Sequence, residues 1–141
     1  MHKASFMRAG GVALAIIAAF AVGCGDDSNP PPTAPGIQPQ IINSVDNFQF
    51  QITAVDNHTG SLNYYWKNTG TQADINQSCA VGAGTVTLTL LDGSGTQVYS
   101  QTLSQNGTFA SATGTSGTWR VRVTMTGTSG DLNFRLDKRT P

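Results

Sequence analysis

The sequence predicts an all-β domain: an antiparallel β-sandwich of jelly-roll or immunoglobulin-like type, with about seven or eight strands. Two observations predict this class. Apolar and polar residues alternate from Ile41 onward, and the composition is rich in Thr, Ser, Asn, Gln and Gly while the strong helix former Glu is absent. The length of 141 residues suits one domain.

The N-terminus has the pattern of a secretory signal peptide. Lys3 and Arg8 precede an uncharged run from Ala9 to Gly23, which is shorter than the roughly 20 apolar residues that a membrane-spanning helix needs. We therefore assign residues 1–23 to a signal peptide that is removed on export. The mature protein is expected to be extracytoplasmic.

The end of this run indicates how the signal peptide is cut. Ala21-Val22-Gly23-Cys24 resembles the lipobox of bacterial lipoproteins, although that family prefers Leu where Ala21 stands. The resemblance implies that Cys24 becomes the first residue and carries acyl chains such as palmitate, so that membrane lipid is its partner. Gly25, in place of Asp, favours the outer membrane by the same resemblance. Ala19-Phe20-Ala21 also fits ordinary signal cleavage, which would leave Cys24 as a thiol.

A polar stretch that contains five of the six prolines follows the cysteine, from Gly25 to Gln40. Such a stretch favours extended polyproline II, at about 3.1 Å per residue, and would act as a tether. The predicted organisation is a lipidated cysteine with a disordered linker at residues 24–40, the sandwich at 41–138 and a tail at 139–141.

The predicted strands each have one apolar phase. The stronger candidates are 48–54, 62–66, 86–90, 119–125 and 132–136, and the weaker ones are 73–79, 97–103 and 108–112. In the first, Phe48, Phe50, Ile52 and Ala54 are expected to face the core. Each large apolar side chain that is buried contributes about 1.5–3 kcal/mol, enough in sum to stabilise the domain without a disulfide.

Turn-forming residues separate these strands. They include Asp56-Asn57-His58-Thr59-Gly60, Asp92-Gly93-Ser94-Gly95, Asn106-Gly107 and the pentapeptide Thr-Gly-Thr-Ser-Gly, which occurs at 113–117 and at 126–130. Gly supplies the positive φ that chain reversals require, and Asn and Asp tolerate it. We expect the segment 126–130 to join the last two strands as a hairpin.

These last two strands, Gly117 to Val123 and Asp131 to Leu136, resemble the end of the bacterial pre-peptidase C-terminal domain. That family is a β-sandwich module appended to secreted proteins, and the resemblance covers the C-terminal half of the chain. It implies a non-catalytic role in adhesion, targeting or secretion. The acidic cluster that some of these modules use for calcium has no obvious counterpart in this sequence.

No catalytic, metal-binding or cofactor-binding motif is present. His58 is the one histidine after the signal peptide, and it lies in a predicted turn. A small hydrolase would need two aspartates to converge, but aspartate is also the common turn residue at the positions concerned, namely Asp46, Asp56, Asp74, Asp92 and Asp131. Eight basic residues against eight acidic ones exclude a basic nucleic-acid binder.

Cys79 would be the lone thiol of a lipidated protein. It shares the apolar phase of Ala73 and Ile75, which predicts a small core residue. The alternatives are an intermolecular disulfide, or a disulfide to Cys24 if that residue is not acylated.

A cationic surface is the candidate binding site. Pairing of the last two strands would place Arg122 beside Arg135, and Arg120 near Asp137, on the solvent face. Like charges opposite each other destabilise a sheet unless an anion or a carboxylate joins them. Ordinary management of surface charge is the alternative. Tyr65 is an outward-facing aromatic that could stack on a sugar.

These observations predict a non-catalytic, lipid-anchored lipoprotein of the cell envelope. Its sandwich would serve in binding or as a structural element, with an envelope polysaccharide or protein as partner and no cofactor. A secreted, unanchored adhesion or carbohydrate-binding module is the alternative.

Overall fold

The computed structural model describes residues 37–141, and this part of the protein is all-β, with seven strands and no helix. The strands are β1 (Gln40–Ser44), β2 (Asn47–Asn68), β3 (Ala73–Gln77), β4 (Ala80–Leu91), β5 (Gln97–Thr102), β6 (Gly107–Ala110) and β7 (Gly117–Lys138). Every pairing is antiparallel, so the predicted fold class is confirmed. The predicted signal peptide, Cys24 and the linker up to residue 36 lie outside the described residues.

Two strands of 22 residues, β2 and β7, carry the fold. They pair along their whole length, with irregular register between Ile52 and Gly60 of β2, where both strands bend. The bend divides the sheet into two parts. In what we call the first half, β1, β3 and β6 join the pair; in the second half, β4 and β5 join it.

The two halves pack on each other through their apolar sides. Phe48 and Tyr64 lie near opposite ends of β2, about 50 Å apart if the strand were straight, yet their ring centroids are 5.5 Å apart. The Asp46 N–H donates to the Lys67 carbonyl at 2.8 Å, so the two ends of β2 also meet. The largest fully buried side chains are Trp66, Trp119, Phe48, Phe50, Phe134, Ile75, Leu88, Leu90, Leu103, Met125, Leu132 and Leu136. This packing is consistent with the predicted sandwich.

The bend takes the place of two predicted turns. The segments 56–60 and 126–130 were expected to reverse the chain. Instead His58 pairs with Thr128, so the two segments lie opposite each other within continuous strands. The prediction of a hairpin at 126–130 is therefore wrong, because its turn-forming residues form a bulge within the strand and do not reverse the chain.

The same bulge changes which side chains are buried. Ala54 was expected to face the core, but it adopts a φ of 58° and is exposed. Val55 is buried in its place. The extra residue of a bulge shifts the alternation by one position, which explains the difference.

The folded domain begins earlier than its predicted boundary at residue 41. Ile37, which was assigned to the linker, is only 5% exposed and belongs to the core. It lines one surface depression together with Ile52 and Thr53, beside the bend. The chain therefore enters the domain at the bend. The end of β7 lies at the opposite end, where the Lys138 N–H donates to the Asp46 carbonyl at 3.0 Å.

Candidate functional site

The three arginines of the predicted cationic surface do not all lie together. Because β7 is one continuous strand, its two segments do not pair with each other. Arg122 lies opposite Asn63, and Arg135 lies opposite Gln49 in the other half of the sheet. The predicted pairing of Arg122 with Arg135, and of Arg120 with Asp137, is therefore wrong.

Three of the four predicted site residues do form one surface, on the outer side of the second half. Tyr65 lies opposite Arg120 in the register of β2 and β7, and the Arg120 guanidinium carbon is 5.5 Å from the centroid of the Tyr65 ring. Arg122 Nε donates to Asn63 Oδ1 at 3.1 Å. We call the outward side chains of Asn63, Tyr65, Lys67, Arg120 and Arg122 the Tyr65 face.

The alternation of side chains along β2 makes the Tyr65 side chain point towards solvent. Its neighbours Tyr64 and Trp66 are buried in the core, whereas Tyr65 is 62% exposed. A guanidinium beside an aromatic ring is attracted by the electrons of that ring and limits its movement. Lys67 was not predicted as a site residue, although it is exposed and points to the same side of the sheet as Tyr65, two residues earlier in the strand.

The Tyr65 face carries positive charge that no carboxylate balances within residues 37–141. The three ion pairs of this range are Arg135 with Asp137, Lys138 with Asp46 and Arg139 with Asp74. None of them includes Lys67, Arg120 or Arg122. The outward positions of the adjoining strand β4 carry Thr85, Thr87 and Thr89, which add no charge. The face is therefore expected to have a positive potential.

Arg135 lies on the outer side of the first half, in a different electrostatic setting. Its Nε is 2.8 Å from Asp137 Oδ2, and Asn47 Nδ2 donates to the other oxygen of that carboxylate at 2.6 Å. The Asn47 side-chain oxygen in turn accepts from Gln49 at 3.2 Å. Arg135 thus has its counter-charge within the chain and does not belong to the Tyr65 face.

Cys79 is buried, on the phase shared with Ala73 and Ile75, as expected. Its Sγ donates to the Asn133 carbonyl at 3.3 Å and accepts from the Asn133 N–H at 3.2 Å. The Asn106 side chain forms two further hydrogen bonds with the Cys79 backbone, at 2.7 and 3.0 Å. Burial raises the pKa of the Cys79 thiol, so it is protonated at neutral pH. These contacts describe a structural cysteine.

The aspartates stabilise turns and strand ends. Asp92 accepts hydrogen bonds from the N–H groups of Ser94, Thr96 and Thr115 at 2.8–2.9 Å, and these lower its pKa to about 2. Asp46 accepts from the Thr69 N–H at 2.7 Å, which lowers its pKa as well. Both carboxylates hold chain reversals in place.

The fold does bring two carboxylates together, because Asp74 lies opposite Asp137 in the register of β3 and β7. Each is paired with its own arginine, Arg139 and Arg135 respectively. The depressions described on the surface do not include either residue. One depression, of about 290 Å³, lies beside the bend and is lined by residues that include Gln51 and Cys79.

His58 lies in the bend of β2, opposite Thr128. Among residues 37–141, no group of three or more His, Cys, Asp or Glu side chains is placed to hold a metal ion. In the same range, no helix is long and apolar enough to cross a membrane.

No family model matches the sequence, and no curated protein is significantly similar to it.

Proposed function

We propose that the protein is a lipid-anchored lipoprotein of the bacterial cell envelope, at the outer membrane, that acts by binding and not by catalysis. Acyl chains on Cys24 hold it at the membrane, and the folded domain offers the Tyr65 face to an envelope partner. The observation that carries this proposal is the Tyr65 face itself. Its exposed ring lies beside Arg120, and no ion pair within residues 37–141 includes Arg120 or Arg122.

The state of Cys79 supports acylation of Cys24 over the alternative of a disulfide. A disulfide requires an accessible partner thiol with suitable geometry. Cys79 is 8% exposed, and its sulfur is hydrogen-bonded to the backbone of Asn133. A disulfide to Cys24 would disrupt these contacts. A single acyl chain binds a membrane only marginally, but the several chains of a lipoprotein make the attachment effectively permanent.

The anchor is tested by phase partitioning of the processed protein in a cloud-point detergent. We expect the native protein to enter the detergent phase, and the Cys24→Ser variant to remain in the aqueous phase because it has no acylation site. Cys79→Ser is the matched control, since it also removes a thiol, and it should partition like the native protein. A native protein that stays in the aqueous phase would favour the secreted, unanchored module instead.

A further inference from the structure

We propose that the ligand of the Tyr65 face is an acidic polysaccharide, whose anionic groups pair with Arg120 and Arg122 and whose sugar rings contact Tyr65. This inference rests on the proposed binding function and names the class of ligand for that same face.

The two arginines suit an extended ligand with repeated charges. Arg120 and Arg122 alternate with the buried residues Val121 and Val123, so both point outward from β7. Their backbones are roughly 7 Å apart, the repeat of two residues in a strand. The Arg120 guanidinium lies beside the Tyr65 ring, whereas Arg122 donates to Asn63, so each guanidinium has its own neighbour and a polymer can offer each a separate anionic group. The fork of a guanidinium also matches the geometry of a carboxylate.

Tyr65 supplies a flat apolar contact beside these charges. Its ring is largely exposed, and the Arg120 guanidinium carbon lies 5.5 Å from the ring centroid. The exposed Ser100 of β5 adds a hydroxyl group near this face: its Oγ is 3.4 Å from Oγ1 of Thr89, a buried residue that lies opposite Arg122 in register. An aromatic ring together with polar groups can meet both the apolar face of a sugar and its hydroxyls.

The composition of the Tyr65 face argues against a protein partner. Protein interfaces place apolar and aromatic side chains at a central, fully buried patch. The described part of the chain has three exposed large apolar residues, Ile42, Val45 and Tyr65. Ile42 belongs to β1, and Val45 lies in the turn that follows β1, so Tyr65 is the one of the three that the register of β2 and β7 places opposite Arg120. One aromatic side chain does not form such a patch.

Arg135 provides a matched control for charge. It lies on β7, as Arg120 and Arg122 do, and it also points outward, but from the first half and with Asp137 as its partner. Its replacement by Gln removes one positive charge, as replacement of Arg120 or Arg122 alone does, but leaves the Tyr65 face unchanged. A merely electrostatic attraction to the whole molecule would respond equally to Arg135→Gln and to either of the other two single replacements.

The experiment measures binding of the full mature protein, in detergent micelles, to immobilised polygalacturonate, with neutral dextran as the comparison polymer. We expect binding to polygalacturonate that weakens with added salt, and little binding to dextran. The double variant Arg120→Gln/Arg122→Gln should bind at least about tenfold more weakly, because it loses charge-assisted hydrogen bonds. Each single variant, Arg120→Gln or Arg122→Gln, should also bind more weakly than the native protein, whereas Arg135→Gln should bind like the native protein.

A second variant protects the test against loss of folding. Tyr65→Ala changes one exposed side chain and should weaken binding several-fold while leaving its salt dependence unchanged. Equal binding by the double variant and the native protein would overturn the proposal.

Probes of other chemistry separate the two proposals. Binding to immobilised polyphosphate or to an acidic protein, with none to polygalacturonate, would overturn the polysaccharide assignment and leave the binding function in place. Binding to none of these probes would contradict both.

Discussion

Asp92 shows how one side chain can fix the position of two loops. Its carboxylate accepts from Ser94 and Thr96 in the turn between β4 and β5, and from Thr115 in the loop before β7. Four acidic or turn-forming positions, Asp92 to Gly95, were enough to predict the turn from the sequence. The bond to Thr115 was not predictable, since it joins loops that are distant in the chain.

We expect Asp92→Asn to lower the free energy of unfolding at neutral pH, because an amide nitrogen cannot accept a hydrogen bond. The folded-state pKa of about 2 is below the ordinary value near 4. The carboxylate therefore stabilises the protein fully above pH about 4, and this contribution is lost as the pH falls towards 2. Denaturant unfolding of both proteins should show a difference that shrinks over that range. A difference independent of pH would contradict this role of the charge.

At the scale of elements, the repeated pentapeptide adopts two different structures. At 113–117 it forms the loop that leads into β7, whereas at 126–130 it lies within β7 at the bend. Gly117 and Gly130 hold the same position in the repeat and nearly the same φ, 131° and 133°. Their surroundings differ: a Cβ on Gly130 would lie 2.1 Å from the Ala80 carbonyl oxygen, but one on Gly117 would meet nothing closer than 3.7 Å.

This pair gives a controlled test of the bend. Gly117→Ala and Gly130→Ala share the strain of a positive φ, about 1–2 kcal/mol. Gly130→Ala also forces an atom against backbone, which should destabilise it by about 1–3 kcal/mol beyond Gly117→Ala. Equilibrium unfolding in urea measures both. Equal losses in the two variants would mean that strands β4 and β7 do not approach closely at the bend.

The elements also show where prediction from sequence stops. Alternation correctly predicted the buried phase of Phe48, Phe50 and Phe134, because a strand with one buried face must alternate. The residues at 56–60 and 126–130 can adopt a positive φ. This ability alone does not determine whether the chain reverses direction or forms a bulge there. That choice depends on the partner strand, and here the two segments are each other's partners.

At the scale of the whole molecule, the residues that form the candidate site depend on whether the segment 126–130 reverses the chain or forms a bulge. Tyr65, Arg120 and Arg122 were predictable as outward-facing residues from their phase alone. Their separation from Arg135 followed from the continuity of β7, which only the long-range pairing with β2 decides. The point at which the chain enters the domain is a second whole-molecule property: Ile37 lies beside the bend, and β7 ends on the opposite side of the domain.

The attachment of lipid to Cys24 is the claim on which the account of function chiefly depends. Intact-mass spectrometry of the protein extracted from its native membranes measures it directly. We predict the mass of a chain that begins at Cys24, increased by a diacylglyceryl group and a further acyl chain. The mass of an unmodified chain that begins at Val22 would contradict the account.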